Sequence, residues 1–377
     1  MTGPDTHRSD LDAGADAASP LPERDVLTVD PPNAEARLHS LRAPVTPLSR
    51  FYVRSNFSVP PIDVEAWRLE ISGAVAHPLS FSLRDLKALG ETTQVVTLEC
   101  AGNGRTFLSP PVPGTAWTLG GTATGQFTGV PLHHVLAHAG VQPNAVEAVF
   151  SGADRGDCEG WGEVHFQRAL PLADALRAEH GPLLCWQMNG AALLPEHGAP
   201  VRLIVPGWYA VASVKWLNAI ELVTQPFAGY FQTDRYLYHE PGQPTQPVRH
   251  MRVRALLLDP DPEQSGRITA DSPPIDVSAG SCRLSGIAWS GEGAVSGVRL
   301  SLDGGTTWHE ANLTEPAEPG APMRWHLDWH AVPGSHDVVI CARDSAGHEQ
   351  PLTQRWNELG YGNNCAQRVR LRVTSAG

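Results

Sequence analysis

The feature that most constrains this chain is Thr97–Arg105, which reads T-L-E-C-A-G-N-G-R. The apolar run Val95–Leu98 predicts a buried strand that stops at Cys100. The following Gly102-Asn103-Gly104 predicts a tight turn, because glycine accepts a positive φ at little cost. We therefore expect the Cys100 thiol at a strand-to-loop junction beside the cation Arg105. A nearby positive charge favours the thiolate, which binds soft metals or attacks electrophiles; an ordinary buried cysteine is the alternative.

Four further segments keep a recognisable order along the chain: Phe51–Pro60 (F-Y-V-R-S-N-F-S-V-P), Met188–Pro206 (with M-N-G and P-E-H-G-A-P-V-R-L-I-V-P), Ser213–Leu217 (S-V-K-W-L) and Ser301–Trp308 (S-L-D-G-G-T-T-W). Together with the loop at Cys100 they resemble the sulfite oxidase family of molybdopterin-dependent oxidoreductases, in its bacterial, haem-free type. The resemblance implies one molybdenum-molybdopterin cofactor per chain, with the Cys100 sulfur as a ligand of the metal.

The composition is that of a globular protein with room for two domains. The 377 residues are 41% hydrophobic and 18% charged, and a domain takes about 150 residues. The net charge of −12 disfavours a nucleic-acid or anionic-membrane partner. An apolar run of about 18 residues is missing, so we predict no membrane-spanning helix. The N-terminus lacks a signal-peptide pattern and a twin-arginine pair, and the six cysteines form no C-x-x-C pair. We therefore expect a cytoplasmic protein with free thiols.

The order of predicted elements indicates an α+β fold. Residues 1–40 are rich in Asp, Ala, Pro and Ser and predict a mobile tail. Residues 41–246 mix strands with short helices and form the predicted mixed α/β molybdopterin-binding catalytic domain. Residues 247–377 predict an all-β immunoglobulin-like sandwich, which the resemblance makes a dimerisation domain. Helices are expected at Leu83–Leu89, Leu132–Ala139 and Pro171–Glu179, and sandwich strands at Cys282–Trp289, Val295–Leu302, Thr307–Ala311, Met323–Trp329 and Asp337–Ala342.

The resemblance also implies which residues meet the substrate. Arg54 and Arg105 are the expected oxyanion binders, because a guanidinium offers a planar fork that matches an oxyanion bidentately. Tyr236 falls where the family has its active-site tyrosine and is favoured over Tyr238 as a hydrogen-bond donor and proton relay. Trp117 aligns with a tryptophan that lines the substrate pocket, although a core tryptophan is the alternative.

A second set of residues is implied for the cofactor. Arg202 and Lys215 suit its phosphate, and His197 offers a hydrogen-bond donor. The full set is Asn56, Phe57, Asp154, His197, Arg202, Ser213, Val214 and Lys215. This sequence departs from the animal-type pattern by having Gly104 where the family has the first arginine of its cysteine loop, Val211-Ala212 before Ser213, and Asn56 in place of a histidine. These departures predict a less positive pocket.

The resemblance implies oxidation of sulfite to sulfate by oxygen-atom transfer at the cysteine-bound molybdenum. No C-x-x-C-H or His-Pro-Gly-Gly motif occurs, so no haem is predicted in this chain, and an external electron acceptor such as a cytochrome is expected. A homodimer is expected, with a small anionic or oxo substrate. The alternatives are a reductase of an oxyanion or of an S- or N-oxide, a cysteine-nucleophile hydrolase, and a non-catalytic binding protein on this scaffold.

Overall fold

Strands outnumber helices in the computed structural model, which describes residues 23–375 apart from 317 and 319. Two groups of sheets follow one another along the chain. The strands of the first group are β1 (Arg24–Thr28), β2 (Asn33–Ala36), β3 (Leu69–Gly73), β4 (Leu79–Phe81), β5 (Thr92–Glu99), β6 (Thr122–Pro131), β7 (Glu147–Cys158), β8 (Gly162–Pro171), β9 (Leu183–Met188), β10 (Ala191–Ala192), β11 (Arg202–Ile204), β12 (Leu217–Val223), β13 (Leu237–Tyr238) and β14 (Gln246–Pro247).

Two five-stranded sheets form the frame of the first group. One has the order β10-β9-β6-β5 with β11 beside β9, and the other has the order β4-β3-β12-β7-β8. Strands β3 and β12 run parallel, whereas the other neighbours in these two sheets run antiparallel. This mixture, with β1-β2 and β13-β14 as separate two-stranded ribbons, confirms the predicted α+β class.

The helices are short and lie between the strands. The α-helices are α1 (Leu83–Ala88), α2 (Leu132–Ala139), α3 (Leu172–Ala175) and α4 (Tyr230–Thr233), and 3₁₀ turns occupy Leu38–Arg42, Leu48–Arg50, Arg105–Phe107, Pro195–His197 and Ala210–Ala212. Helix α1 begins with a capping box: Asp85 N donates to Ser82 Oγ, and Ser82 N donates to the Asp85 carboxylate. These two bonds satisfy amides that the first turn of a helix leaves open. The helix predicted over Pro171–Glu179 shortens to α3, with Pro171 as its cap.

The second group of sheets is a β-sandwich, as predicted. Its strands are β15 (Arg254–Asp259), β16 (Ile275–Ser278), β17 (Gly280–Trp289), β18 (Val295–Ser301), β19 (His309–Glu310), β20 (Asn312–Thr314), β21 (Met323–Ala331), β22 (Gly334–Asp344) and β23 (Gln367–Thr374). One sheet has the order β15-β17-β21-β20 and the other β16-β23-β22-β18-β19. Leu257, Leu284 and Trp325 from the first sheet share a buried core with Val298 and Ile340 from the second.

The predicted mobile tail is wrong for residues 23–40, whereas residues 1–22 lie outside the described residues. Strands β1 and β2 pair antiparallel, and the buried Arg24 donates hydrogen bonds to the carbonyls of Leu48 and Ser49. Glu35 is buried too, and its carboxylate accepts bonds from Thr118 N and Oγ1. A polar composition did not predict this order, because the partners of these polar groups lie far away in sequence.

The boundary predicted at 246/247 falls inside the short strand β14. The division into a catalytic and a dimerisation domain stays a prediction. Buried contacts join the two parts: the Arg254 guanidinium pairs with the Glu99 carboxylate at 3.2 Å, and Trp289 Nε1 donates to the same carboxylate at 2.9 Å. Since Glu99 precedes Cys100, the second part helps to place the cysteine. Within the described part of the chain, no helix is long and apolar enough to span a membrane.

Candidate active site

Cys100 lies directly after the last residue of β5, as the sequence predicted. Its amide donates to Gly121 O at 2.7 Å, and Asn103 N donates back to Cys100 O at 2.9 Å, which closes the turn. Gly104 has a φ of +82°, and a Cβ on Gly102 would lie 2.9 Å from an Arg105 nitrogen. The two glycines therefore serve different purposes: one allows the backbone conformation, and the other allows Arg105 to pack closely.

The Cys100 side chain faces a cleft that contains most of the predicted site residues. The cleft holds about 640 Å³ of space, its opening to solvent included. The predicted residues on its wall are Arg54, Asn56, Cys100, Asp154, His197, Arg202, Ser213, Lys215 and Tyr236. They come from well-separated parts of the chain, so the fold brings together what the sequence motifs indicated one by one.

Arg54 and Tyr236 form one hydrogen-bonded unit in this cleft. Arg54 Nη2 donates to Asn56 Oδ1 at 2.5 Å and lies 3.4 Å from the Tyr236 hydroxyl, which donates to Asn56 Oδ1 at 3.2 Å. Tyr238 instead lies outside this cleft, with its ring 4.1 Å from the Arg252 guanidinium. The position predicted for Tyr236 is thus the one that reaches Arg54.

Burial raises the pKa of the Cys100 thiol, and the guanidinium of Arg54 opposes that rise, followed by the Gly102 backbone amide and Arg105. The charge on Arg54 therefore supports the thiolate, although burial disfavours it. A bound cation at the sulfur would remove the remaining cost, because metal ligation requires the deprotonated thiol.

The opposite part of the cleft is cationic and closely packed. Arg202 donates to His197 O at 3.0 Å and to Ser213 O at 3.1 Å. Lys215 Nζ donates to Ser55 Oγ at 2.7 Å and to Glu196 O at 2.8 Å. Burial, with Arg202 beside it, lowers the pKa of Lys215 well below its ordinary range.

Burial also raises the pKa of Asp154 to about 7, against the attraction of Lys215. It lowers the pKa of His197, and the neighbouring charges of Arg24, Arg202 and Lys215 lower it further. Lys215 would gain from an additional partner that carries negative charge, whereas Asp154 and His197 would gain from a hydrogen-bonding group.

These residues fit an anionic, hydrogen-bonding cofactor. Asp154 Oδ1, His197 Nε2 and Arg202 Nε are buried and have no hydrogen-bond partner within the described residues. Buried polar atoms are nearly always bonded in folded proteins, so three such atoms around one cleft indicate a ligand. Two cations suit a phosphate, the acceptor and donor atoms suit a pterin, and a single soft thiol suits its metal.

Four predicted residues do not lie on the cleft wall. Trp117 is fully buried with its ring against Tyr52, which matches the alternative of a core tryptophan. Arg105 donates to Thr115 O at 3.0 Å and Leu359 O at 3.3 Å. Phe57 packs against Phe231, and the buried Val214 accepts a backbone bond from Leu203 N. The roles predicted for these four stay predictions.

The structure adds residues that the sequence reasoning missed. Tyr52 and Ser55 line the cleft inside the segment that was already singled out at Arg54, so that segment was a usable signal. Glu196 lines it next to His197. Tyr361 contacts Tyr236 from the β-sandwich, and no motif pointed to it.

Comparisons with known proteins identify the family of this chain. Residues 56–231 match the family model of the oxidoreductase molybdopterin binding domain, and residues 246–374 match the Mo-co oxidoreductase dimerisation domain. Sulfite oxidase of Gallus gallus is 33% identical over 331 residues, which is 84% of this chain and 70% of that protein. Mitochondrial sulfite oxidase of Rattus norvegicus is 34% identical over 87% of this chain, and the match spans 62% of the rat protein.

This chain is also similar to two proteins whose names describe other reactions. Nitrate reductase [NADH] 2 of Phaseolus vulgaris is 29% identical over 91% of this chain and 41% of its own length. Among solved structures, the sulfane dehydrogenase SoxCD from Paracoccus pantotrophus superposes with a TM-score of 0.79 at 27% identity, over 98% of this chain and 96% of that chain.

The two matched domains and the cleft around Cys100 define the chain as a molybdopterin-binding oxidoreductase. Within that class it belongs to the sulfite oxidase family, whose cofactor is molybdenum-molybdopterin. We propose that Cys100 would hold the metal and that Asp154, His197, Arg202, Ser213 and Lys215, which line the same cleft, would hold the organic part of this cofactor.

Proposed function

We propose that this protein oxidises sulfite to sulfate: sulfite and water give sulfate, two protons and two electrons. The observation that carries the proposal is that Arg54, Tyr236 and Cys100 line one cleft, so a guanidinium and a phenol share this cleft with the thiol that we propose as the metal ligand. The sulfite oxidases among the relatives support the same reaction.

When bound, the cofactor supplies oxygen-atom transfer and accepts two electrons. The protein's own residues bind and orient the substrate. The Arg54 guanidinium attracts the anion and offsets its charge, at a site where burial makes that attraction stronger than in water. The Tyr236 hydroxyl already lies within hydrogen-bond distance of Asn56 and Arg54, and it can donate to an oxygen of the substrate.

A reductase of an oxyanion such as nitrate is the second candidate. The observation that favours it is the nitrate reductase whose match covers 91% of this chain. In that direction, nitrate, two protons and two electrons would give nitrite and water at the same cleft. A reductase of an S- or N-oxide belongs to the same class of reaction.

The first experiment measures molybdenum in the purified protein, together with the fluorescence of the oxidised pterin. We expect about one metal per chain, because the cleft offers one thiol, that of Cys100. Protein without molybdenum, made in cells shown to produce the cofactor, would instead favour a non-catalytic binding protein.

The second experiment is a substrate panel on the molybdenum-loaded enzyme. Sulfite with an artificial oxidant is compared, at equal enzyme concentration, with nitrate, an S-oxide and an N-oxide, each with an artificial reductant. We expect a higher kcat/KM with sulfite. A preference for nitrate or for an S- or N-oxide would reject sulfite oxidation and establish the reductase.

We also propose a homodimer that passes electrons to an external one-electron acceptor such as a cytochrome. The match of residues 246–374 to a dimerisation domain supports the dimer, and a two-electron oxidation requires an acceptor. Light scattering should give twice the 40.5 kDa of one chain, and sulfite should reduce added cytochrome c. A monomer, or an enzyme that is idle with every cytochrome tested, would contradict these two assignments.

We place the protein in the cytoplasm. All six cysteines are unpaired in the structure, which suits a reducing compartment. Fractionation of the native cells tests this placement, and recovery of the protein with a periplasmic marker would reject it.

A further inference from the structure

A loop of the β-sandwich contacts the turn that carries Cys100. This segment, Asn357–Asn363, is called the 357–363 loop below. Gly362 N donates to Ala101 O at 2.7 Å, and Asn363 Nδ2 donates to Gly104 O at 2.8 Å. The loop belongs to the part of the chain that matches the dimerisation domain, yet it holds the backbone just after the metal-binding cysteine.

Tyr361 at the centre of this loop touches two residues that were predicted for the substrate site. Its ring stacks on that of Tyr236, with 4.8 Å between ring centroids and 22° between planes. The Arg105 guanidinium carbon lies 5.2 Å from the same ring. Tyr361 thus links Arg105, which lies off the cleft wall, to Tyr236, which lies on it.

Tyr236 needs support of this kind. Its φ is +56°, a conformation that is costly for a bulky side chain and persists only where its surroundings enforce it. Val248 N donates to Tyr236 O at 2.8 Å, which fixes the backbone. The ring is fixed by its neighbours, and the stack on Tyr361 is the closest of its aromatic contacts.

The 357–363 loop is built to hold Tyr361 in one place. The fully buried Asn357 accepts a bond from Tyr361 N at 3.0 Å and donates one to Tyr361 O at 2.8 Å. Gly360 and Gly362 flank the tyrosine at φ values of +66° and +61°. A Cβ at Gly360 would lie 2.9 Å from Arg105 Nε, so the absence of a side chain at Gly360 leaves room for Arg105.

We propose that Tyr361 is a positioning residue of the active site, supplied by the C-terminal domain. Its ring, braced by Arg105, holds the Tyr236 phenol at Arg54 and Asn56. The effect on turnover rests on the proposed function, whereas the effect on the position of Tyr236 does not.

Two substitutions separate the ring of Tyr361 from its hydroxyl. Tyr361→Leu removes the stack, and Tyr361→Phe keeps it. In molybdenum-loaded enzyme, we expect Tyr361→Leu to lower kcat/KM for sulfite about 3- to 10-fold, which corresponds to the free energy of one aromatic contact. We expect the kcat/KM of Tyr361→Phe to stay within about twofold of the wild-type value. Tyr361→Met, with a longer and more flexible side chain, replaces Tyr361→Leu if that variant does not fold.

The matched control is Trp308→Leu, which breaks a contact of the same kind in the same domain. The Arg299 guanidinium lies 4.4 Å from the Trp308 ring, away from the cleft. We expect this variant to keep the wild-type kcat and KM. An equal loss in Trp308→Leu and Tyr361→Leu would overturn the proposal.

A double-mutant cycle distinguishes positioning from general stability. If Tyr361 acts through Tyr236, Tyr361→Leu should cost nothing further in a Tyr236→Leu background, because the stack is already gone. Additive losses would overturn the proposal.

Crystal structures of the holoenzyme give a readout that needs no turnover. In Tyr361→Leu we expect the Tyr236 hydroxyl to leave Asn56, and in Tyr361→Phe to stay there. An unmoved Tyr236 would reject the positioning role. A wild-type enzyme that does not oxidise sulfite would reject the proposed function, and the crystal structures would still decide the role of Tyr361.

Discussion

Single side chains around Cys100 are held in states that water would not favour. Burial lowers the pKa of Lys215 and raises the pKa of Asp154 to about 7. An apolar substitution would avoid these costs, so the residues are better explained by a ligand that offsets them. The shifted pKa values of these side chains therefore suit a charged ligand in the cleft.

The proposed role of Cys100 as the metal ligand is the first to test. Cys100→Ser should abolish turnover and lower the molybdenum content, because a hydroxyl is a harder and less acidic ligand than a thiolate. Metal analysis and sulfite oxidation are measured together. Cys282→Ser, in the β-sandwich and half-buried, is the matched control and should change neither. Full activity in Cys100→Ser would refute the ligand assignment.

The two predicted oxyanion binders should behave differently. Arg54 lines the cleft, so Arg54→Gln should raise KM about 10- to 100-fold through the loss of charge-assisted hydrogen bonds. Arg105 donates to Thr115 O and Leu359 O and contacts the Tyr361 ring, so Arg105→Gln should mainly lower the unfolding temperature and should lower kcat/KM no more than Tyr361→Leu does. Steady-state kinetics and thermal unfolding of both variants check this. A larger rise in KM for Arg105→Gln than for Arg54→Gln would contradict it.

At the scale of elements, contacts between distant segments decide which ones are ordered. The amide of Leu38 donates to Glu263 Oε2 at 2.6 Å, which ties the first 3₁₀ turn to a loop of the β-sandwich. Burial, aided by Asp261, Asp25 and Glu35, raises the pKa of Glu263 from 4.5 to about 7. This connection therefore depends on pH.

Glu263→Gln tests that dependence. The raised pKa means that the folded state binds the proton of the Glu263 carboxyl group more tightly than the unfolded state does. The stabilisation of the fold by protonated Glu263 is therefore complete below pH 4.5 and is lost as the pH rises through about 7. Its size is up to about 3 kcal/mol. As the pH rises from 4.5 to about 7, the unfolding temperature should fall more in the wild type than in Glu263→Gln. Equal falls would show that Glu263 titrates normally.

At the scale of the whole molecule, the cleft draws on both parts of the chain. Cofactor bound to the folded protein alone stabilises it by about 4 kcal/mol at a thousandfold its Kd. Protein made without the cofactor should therefore unfold at a lower temperature, which calorimetry measures. Reloading with molybdopterin and molybdate should restore the difference. Identical unfolding temperatures with and without the cofactor would mean that the cleft residues around Arg202 do not hold it.

Local patterns predicted much of the fold. Helix α2 begins and ends where its sequence predicted, and β5 ends at Glu99, directly before Cys100. The sandwich strands β17, β18, β21 and β22 begin and end within about three residues of their predicted positions, with edges shifted as hydrogen-bond ladders extend into turns.

Strands β15, β16 and β23 were missed, and so was the order of residues 23–40. Their stability comes from pairing with segments far away, such as β16 with β23. The helix predicted after Pro171 was too long, because its helix-forming residues are not supported by packing beyond α3.

The sequence by itself indicated the family, because five motifs keep their order along the chain, and it predicted a thiol and guanidinium groups at the site, because these groups have specific chemical properties; the ligand role of Cys100 stays a prediction. The tertiary structure decided which predicted residues meet. It brought Arg54, Tyr236 and Lys215 to the Cys100 cleft, kept Trp117 in the core, and added Tyr361 from the other domain. Packing between segments that are distant in sequence makes that choice, and no local pattern records it.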